Sequence, residues 1–568
     1  FNSLNRGYGL GALSEGNLNI YYSTAGSALT LGTLAPNSGK WYCEFTYIHG
    51  NAASDRTAVG IGNANENVRS SGNAGKTFMA TTVGTSLNRV WLTDNVESDN
   101  NFPDRPTGTI IQFAWDMDAG KAWMGTNNQW SNSSGGNISI SDVVAGNNAT
   151  VTDSGFSHVT PLSRLGAGDA LTNTHLLNCG QDSSFGGNKT PQGYADSNDI
   201  GDFFYAPPTG FLALCTKNLP DVDVIPSEHI STTLYAGNST DNRVISGVGF
   251  TPDLGIFRRR TGGSSPAMWF DTVRGATLQS RSDANTAESV QANKQKTFTS
   301  DGYTLGTDAQ INGTGKNHLV WNFKGGGAAV SNTNGSITSQ VSANVAAGFS
   351  IATFTSITGV MTIGHGLSKA PELVTNQMTS SGSAWWTFHK DVGNTKAMRF
   401  TGTNSPGTSS NFWNNTSPSS TVVTLGAGTG GNAADAVMYC WHSVEGYSKV
   451  GIYDGNNDAG GDGTFVYLGF RPSWVMIKEK DVGTGNGEWN VWDSAREPSN
   501  PNDNMMALSA DGQESVDNIY NHMDFLSNGF KLRETYNGSV GGGSQTNYTT
   551  DYIYLAFAET PFKYSNAR

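Results

Sequence analysis

Phe203-Phe204-Tyr205-Ala206-Pro207-Pro208-Thr209-Gly210-Phe211-Leu212-Ala213-Leu214-Cys215-Thr216-Lys217-Asn218-Leu219-Pro220 divides the chain. Proline locks φ and cannot donate to a sheet ladder, so Pro207-Pro208 and Pro220 read as the limits of a strand over Phe211 to Cys215. Pro220 to Pro226 then reads as a short, stiff connector. Before this stretch lies one kind of sequence. After it, a unit of roughly a hundred residues recurs three times.

The recurrence sets the architecture. Phe250-Thr251-Pro252-Asp253-Leu254-Gly255-Ile256-Phe257 aligns with Leu367-Ser368-Lys369-Ala370-Pro371-Glu372-Leu373-Val374 and with Phe470-Arg471-Pro472-Ser473-Trp474-Val475-Met476-Ile477. The three prolines lie 119 and 101 positions apart. An aromatic strand follows each: Met268-Trp269-Phe270-Asp271, Trp385-Trp386-Thr387-Phe388 and Trp489-Asn490-Val491-Trp492-Asp493. Each unit closes on another, at Val320 to Phe323, Tyr439 to His442 and Tyr552 to Phe557. Arg274 and Arg496 link the first and third copies, and the second lacks that arginine. Short alternating strands joined by Gly, Asn, Ser and Thr turns predict small antiparallel sandwiches, with the aromatics in their cores. The expected domains are 1–220, 221–330, 331–445 (divergent) and 446–568.

Composition agrees with an all-β chain of several domains. At 568 residues the chain is too long for one core. Only 14% of residues are charged and 71 are glycine, yet 14 Trp, 26 Phe and 19 Tyr argue against disorder. The net charge of −13 gives no basic face for phosphates, so nucleic-acid binding is not expected. No apolar run approaches the roughly 20 residues of a membrane-spanning helix, so membrane insertion is not expected either. The four cysteines Cys43, Cys179, Cys215 and Cys440 show no metal-ligand spacing, and their disulfide state stays open. The chain starts at Phe1 in mid-pattern, which predicts a fragment or a processed protein.

In the first 220 residues, Gly39-Lys40-Trp41-Tyr42-x-Glu44, Val59-Gly60-Ile61, Phe113-x-x-Asp116-x-Asp118-x-Gly120-Lys121-x-Trp123 and Asn178-x-Gly180-Gln181 occur in order. This series resembles the SPRY domain, a concanavalin-like sandwich. The closing Tyr205-Ala206-Pro207-Pro208-x-Gly210-Phe211 is similar to the form found in large bacteriophage tail and virion proteins. Copy one similarly resembles an uncharacterised β-domain that follows SPRY domains in phage structural proteins. The resemblance implies an all-β virion appendage, a tail-fibre protein attaching to a host-surface glycan or receptor. It also implies a homotrimer joined to other virion proteins through a preceding segment. Its setting would be the virion surface. The alternatives are a capsid-decoration or fibre-shaft protein and a surface-glycan depolymerase.

No nucleophile, zinc, phosphate-loop or dinucleotide motif is present, so no catalytic residue, cofactor or metal is expected. Asp116 and Asp118 read as turn formers. Asp454 to Asp462 begins like a calcium loop but has Ala459 where such loops place glycine, and reads as a plain loop. His365, His389 and His442 read as structural. Trp130 in Asn127-Asn128-Gln129-Trp130 and Trp413 in Asn411-Phe412-Trp413-Asn414-Asn415 sit among amides and are the candidate glycan-binding residues.

Overall fold

In the computed structural model the chain forms two compact units, Phe1–Asp221 and Val222–Arg568. The structure describes all residues except 6–11, 23–27, 49–55, 66–75, 84–85, 93–95, 99–101, 104, 166–172, 430–432, 458–461, 481–486, 517–522, 534–545 and 565–568.

The first unit is a sandwich of a ten-stranded and a six-stranded sheet. Alternation sets its core. In strand Lys40–Ile48, Trp41, Cys43 and Phe45 face the six-stranded sheet and meet Val59, Ile61 and Phe78. Tyr42 points the other way and packs with Trp123, Trp130, Val143, Phe203 and Phe211. The large sheet is therefore covered on both faces. The strand expected over Phe211 to Cys215 is only Leu212–Ala213, and it pairs parallel with Trp41 and Tyr42. The expected hairpin forms between Ile110–Asp116 and Lys121–Thr126. Asp116 Oδ1 accepts from the amides of Asp118 and Ala119, both at 3.0 Å, which is the turn role its residue type suggests.

The second unit contains three copies of one sheet. Copy one orders β1 (Ile230–Ala236), β5 (Asn317–Phe323), β2 (Leu254–Arg259), β3 (Met268–Asp271) and β4 (Leu278–Arg281). Copy two repeats this with β6 (Phe349–Thr355), β10 (Asp435–Trp441), β7 (Leu373–Met378), β8 (Trp386–His389) and β9 (Lys396–Arg399). Copy three does so with β11 (Ser448–Asp454), β15 (Asp551–Pro561), β12 (Phe470–Glu479), β13 (Asn490–Asp493) and β14 (Asn504–Ala507). Each large sheet is accompanied by a small one of two or three strands.

The aromatics are not confined to the individual sandwiches, which corrects the sequence expectation. Along β5, Val320 faces copy one's own core, whereas Leu319, Trp321 and Phe323 enter a core common to all three copies. Tyr439 and Trp441 of copy two and Leu555 and Phe557 of copy three occupy the matching places there. Phe323 lies 5.6 Å from Phe557 and 6.4 Å from Trp441, ring centre to centre, so side chains of the three copies meet directly. The three large sheets are thus buried on both faces, and the unit is one body rather than three beads.

Polar contacts also join the copies. Tyr439 of copy two donates to Asp271 of copy one at 2.8 Å, and Trp321 of copy one donates to Asp493 of copy three at 2.9 Å. At the corresponding place in copy two, His389 Nδ1 accepts from the Asp391 amide at 3.2 Å and its Nε2 has no hydrogen-bond partner among the described residues. Asp271 and Asp493 are each held by the arginine three residues on, Arg274 and Arg496, both at 2.6 Å. In copy two the equivalent pair is His389 and Val392. Burial lowers the pKa of His389 to about 3, so it sits there neutral.

Candidate functional site

Both tryptophans chosen from the sequence are core residues. Trp130 is 1% exposed and packs under the helix Ile140–Val144 with Tyr42 and Val143. Trp413 is also 1% exposed and lies against Phe388 at 5.7 Å, inside copy two. Neither offers a ring face to a ligand. The neighbouring amides misled because they belong to turns: Asn127, Asn128, Asn414 and Asn415 all have positive φ, a conformation asparagine tolerates well.

The aromatic surface lies one residue away. Ser409 caps the one-turn helix Ser410–Trp413 by accepting from the Asn411 amide at 3.2 Å, and Asn414 ends it. That turn sends Trp413 inward and leaves Phe412 half-buried. Phe412 stacks on Trp386 with ring centres 3.7 Å apart. Arg399 is exposed, and its guanidinium lies over the Trp386 ring at 5.0 Å.

Register explains the grouping. Asn376 in β7, Trp386 in β8 and Arg399 in β9 are directly opposed neighbours across three strands, so all three share one sheet face. The corresponding row is Phe257, Met268 and Arg281 in copy one, and Ile477, Asn490 and Ala507 in copy three. Arg281 is neutralised by Asp283 at 2.5 Å. Arg399 has no carboxylate partner among the described residues. Asn376 is 1% exposed, and neither atom of its amide has a hydrogen-bond partner among the described residues. Copy two alone therefore combines an aromatic plate, an uncommitted cation and an unsatisfied amide.

Other titratable groups are structurally employed. Burial lowers the pKa of His365 to about 4, and the ring accepts from the Leu367 amide at 3.1 Å. Asp462 binds Lys531 at 2.5 Å, and Asp454 is hydrogen-bonded to Asp551 across β11 and β15. Residues 458–461 of the loop between them lie outside the described residues. Among the described residues no group of three His, Cys, Asp or Glu could hold a metal ion. All four cysteines are free thiols, and all but Cys215 are buried. No helix among the described residues is long and apolar enough to cross a membrane.

Glu44 organises the closing segment of the first unit. Its carboxylate accepts from the amides of Phe204 and Tyr205 at 2.8 and 2.7 Å, from the Tyr42 hydroxyl at 2.9 Å and from Asn178 at 3.2 Å. Burial outweighs these donors and raises its pKa to about 7. The sequence motif containing Glu44 therefore marks a structural latch between the strand Lys40–Ile48 and the stretch that begins at Phe203.

Residues 225–561 match a single family model, described as Domain of unknown function (DUF7483). The chain belongs to this family, and one family unit spans all three copies with their common core. No curated protein matches the chain. Two solved structures to which it is similar are SPRY domains. The SPRY domain of human HERC1 has 12% identity over 29% of this chain and 91% of that one, with a TM-score of 0.23. A second human SPRY domain has 12% identity over 29% of this chain and 92% of that one, with a TM-score of 0.20.

Proposed function

We propose that this protein is a non-enzymatic bacteriophage virion appendage, a tail-fibre protein that attaches to glycans on the host surface. The motif series of residues 1–220, with its Tyr205 to Phe211 closure, supports the phage setting through the resemblance described above. The observation that carries the binding role is the surface made by Trp386, Phe412 and Arg399. An apolar ring plane beside an exposed hydrogen-bonding cation suits a sugar, which has a C–H face and a polar rim. Trp386 and Arg399 are mounted on paired strands of a well-packed sheet, so the surface is pre-organised and loses little freedom on binding. Single sites of this kind are weak, and repetition on a particle in a homotrimeric fibre would supply avidity.

The test is attachment of the purified protein to host cells, with and without periodate treatment of their surface glycans. Saturable attachment that periodate abolishes supports the proposal. A folded protein that does not attach refutes it and favours a capsid-decoration or fibre-shaft role.

A further inference from the structure

Resting on the attachment reading, we infer that the copy-two row of Asn376, Trp386 and Arg399, with Phe412, is a subsite for a carboxylate-bearing sugar. One feature of the row favours an acidic ligand over a neutral one, and two more favour a sugar.

The first is the free cation. This protein carries a net charge of −13, and the matching arginine of copy one is committed to Asp283. Arg399 is instead exposed, with its guanidinium over the Trp386 ring and no acid beside it among the described residues. A guanidinium on an aromatic face keeps its planar donor fork available, and that fork matches a carboxylate in two parallel hydrogen bonds.

The second is the plate. Phe412 and Trp386 are both half-buried, so part of each remains open beside the cation. A pyranose ring laid there would bring an equatorial carboxylate toward Arg399.

The third is Asn376. Burying an amide without partners is destabilising, and the other copies avoid that cost with Phe257 and Ile477. Asn376 stands directly across from Trp386, so a sugar hydroxyl that displaces the half-buried Trp386 ring would meet the amide.

Binding to the full-length protein is measured by calorimetry and tryptophan fluorescence. The probes are oligogalacturonides, hyaluronan fragments and sialyllactose, each against its neutral counterpart. At least one carboxylated probe should bind more tightly than its neutral form, and Arg399→Gln should weaken it about tenfold or more while weakening the neutral probes by a clearly smaller factor. Asn376→Ile, which installs the copy-three residue, should weaken binding without lowering the melting temperature. If no carboxylated probe binds, or if Arg399→Gln binds it as the wild type does, the inference fails. Cell attachment separates this from the proposal beneath it: periodate-sensitive attachment that Arg399→Gln leaves intact sinks the subsite alone, whereas a wild type that does not attach sinks the attachment reading.

Discussion

Asp493→Ala tests whether the second unit is one cooperative body. Asp493 receives the Arg496 side chain at 2.6 Å and the Trp321 indole of copy one at 2.9 Å, and both Asp493 and Arg496 side chains are wholly buried. Removing the acid leaves a buried guanidinium with only Glu514, at 3.2 Å, to balance it. Breaking a buried pair in this one-sided way costs about 3–5 kcal/mol. Unfolding entropy of about 2.1 cal/mol/K per residue gives about 0.7 kcal/mol/K for residues 222–568, so the melting temperature should fall by about 4–7 °C. Hydrogen exchange read by mass spectrometry should show the loss in peptides from all three copies. The double variant Asp493→His with Arg496→Val installs what copy two carries at His389 and Val392, where Val392 packs on the common core. It should recover at least half of the loss, because it leaves no unpaired charge. A loss confined to copy three, or a single variant costing under about 1 kcal/mol, would refute the reasoning.

Two further outcomes follow from the first unit and from the buried tryptophans. Glu44 has a folded pKa of about 7 against 4.5 for the free group, so the folded state binds the extra proton and stability is greatest below pH 4.5. It should fall by up to about 3 kcal/mol as pH rises from 4.5 to 7 and then level off, and Glu44→Gln should flatten that slope in urea titrations across this range. Trp130→Ala and Trp413→Ala should each cost about 3–5 kcal/mol in stability through the cavity they leave. Conservative replacement by Phe should leave glycan binding unchanged, which calorimetry on the folded variants would check.

Much of the fold is legible in residue order because alternation and turn chemistry are local. The hairpin at Asp116 to Lys121 and the three proline-led repeats could be read directly. The common core could not be read from the repeats alone, although a signal for it was present. Leu319-Val320-Trp321, Met438-Tyr439-Cys440-Trp441 and Tyr552-Ile553-Tyr554-Leu555 are apolar at consecutive positions, not alternate ones. A strand of that kind is buried on both faces and needs a second partner beyond its own sandwich. The candidate site was missed for a different reason. Trp386, Arg399 and Asn376 come together only through register across three strands, and one residue of phase separates outward Phe412 from inward Trp413.

Copy two departs from its neighbours at two places, and the departures are of opposite kinds. In the common core it replaces an acid–arginine pair with neutral His389 and Val392, which removes a buried pair of charges. On its own sheet face it does the reverse, placing Asn376 where Phe257 and Ile477 pack and leaving Arg399 unneutralised. Simple drift toward a better-packed sandwich would not carry an unsatisfied amide and a free cation into one row. A body stabilised by three copies has slack to tolerate that cost in one of them. On the reading proposed above, specialisation for a ligand accounts for where the cost falls, beneath Trp386 and on the copy whose helical turn supplies Phe412.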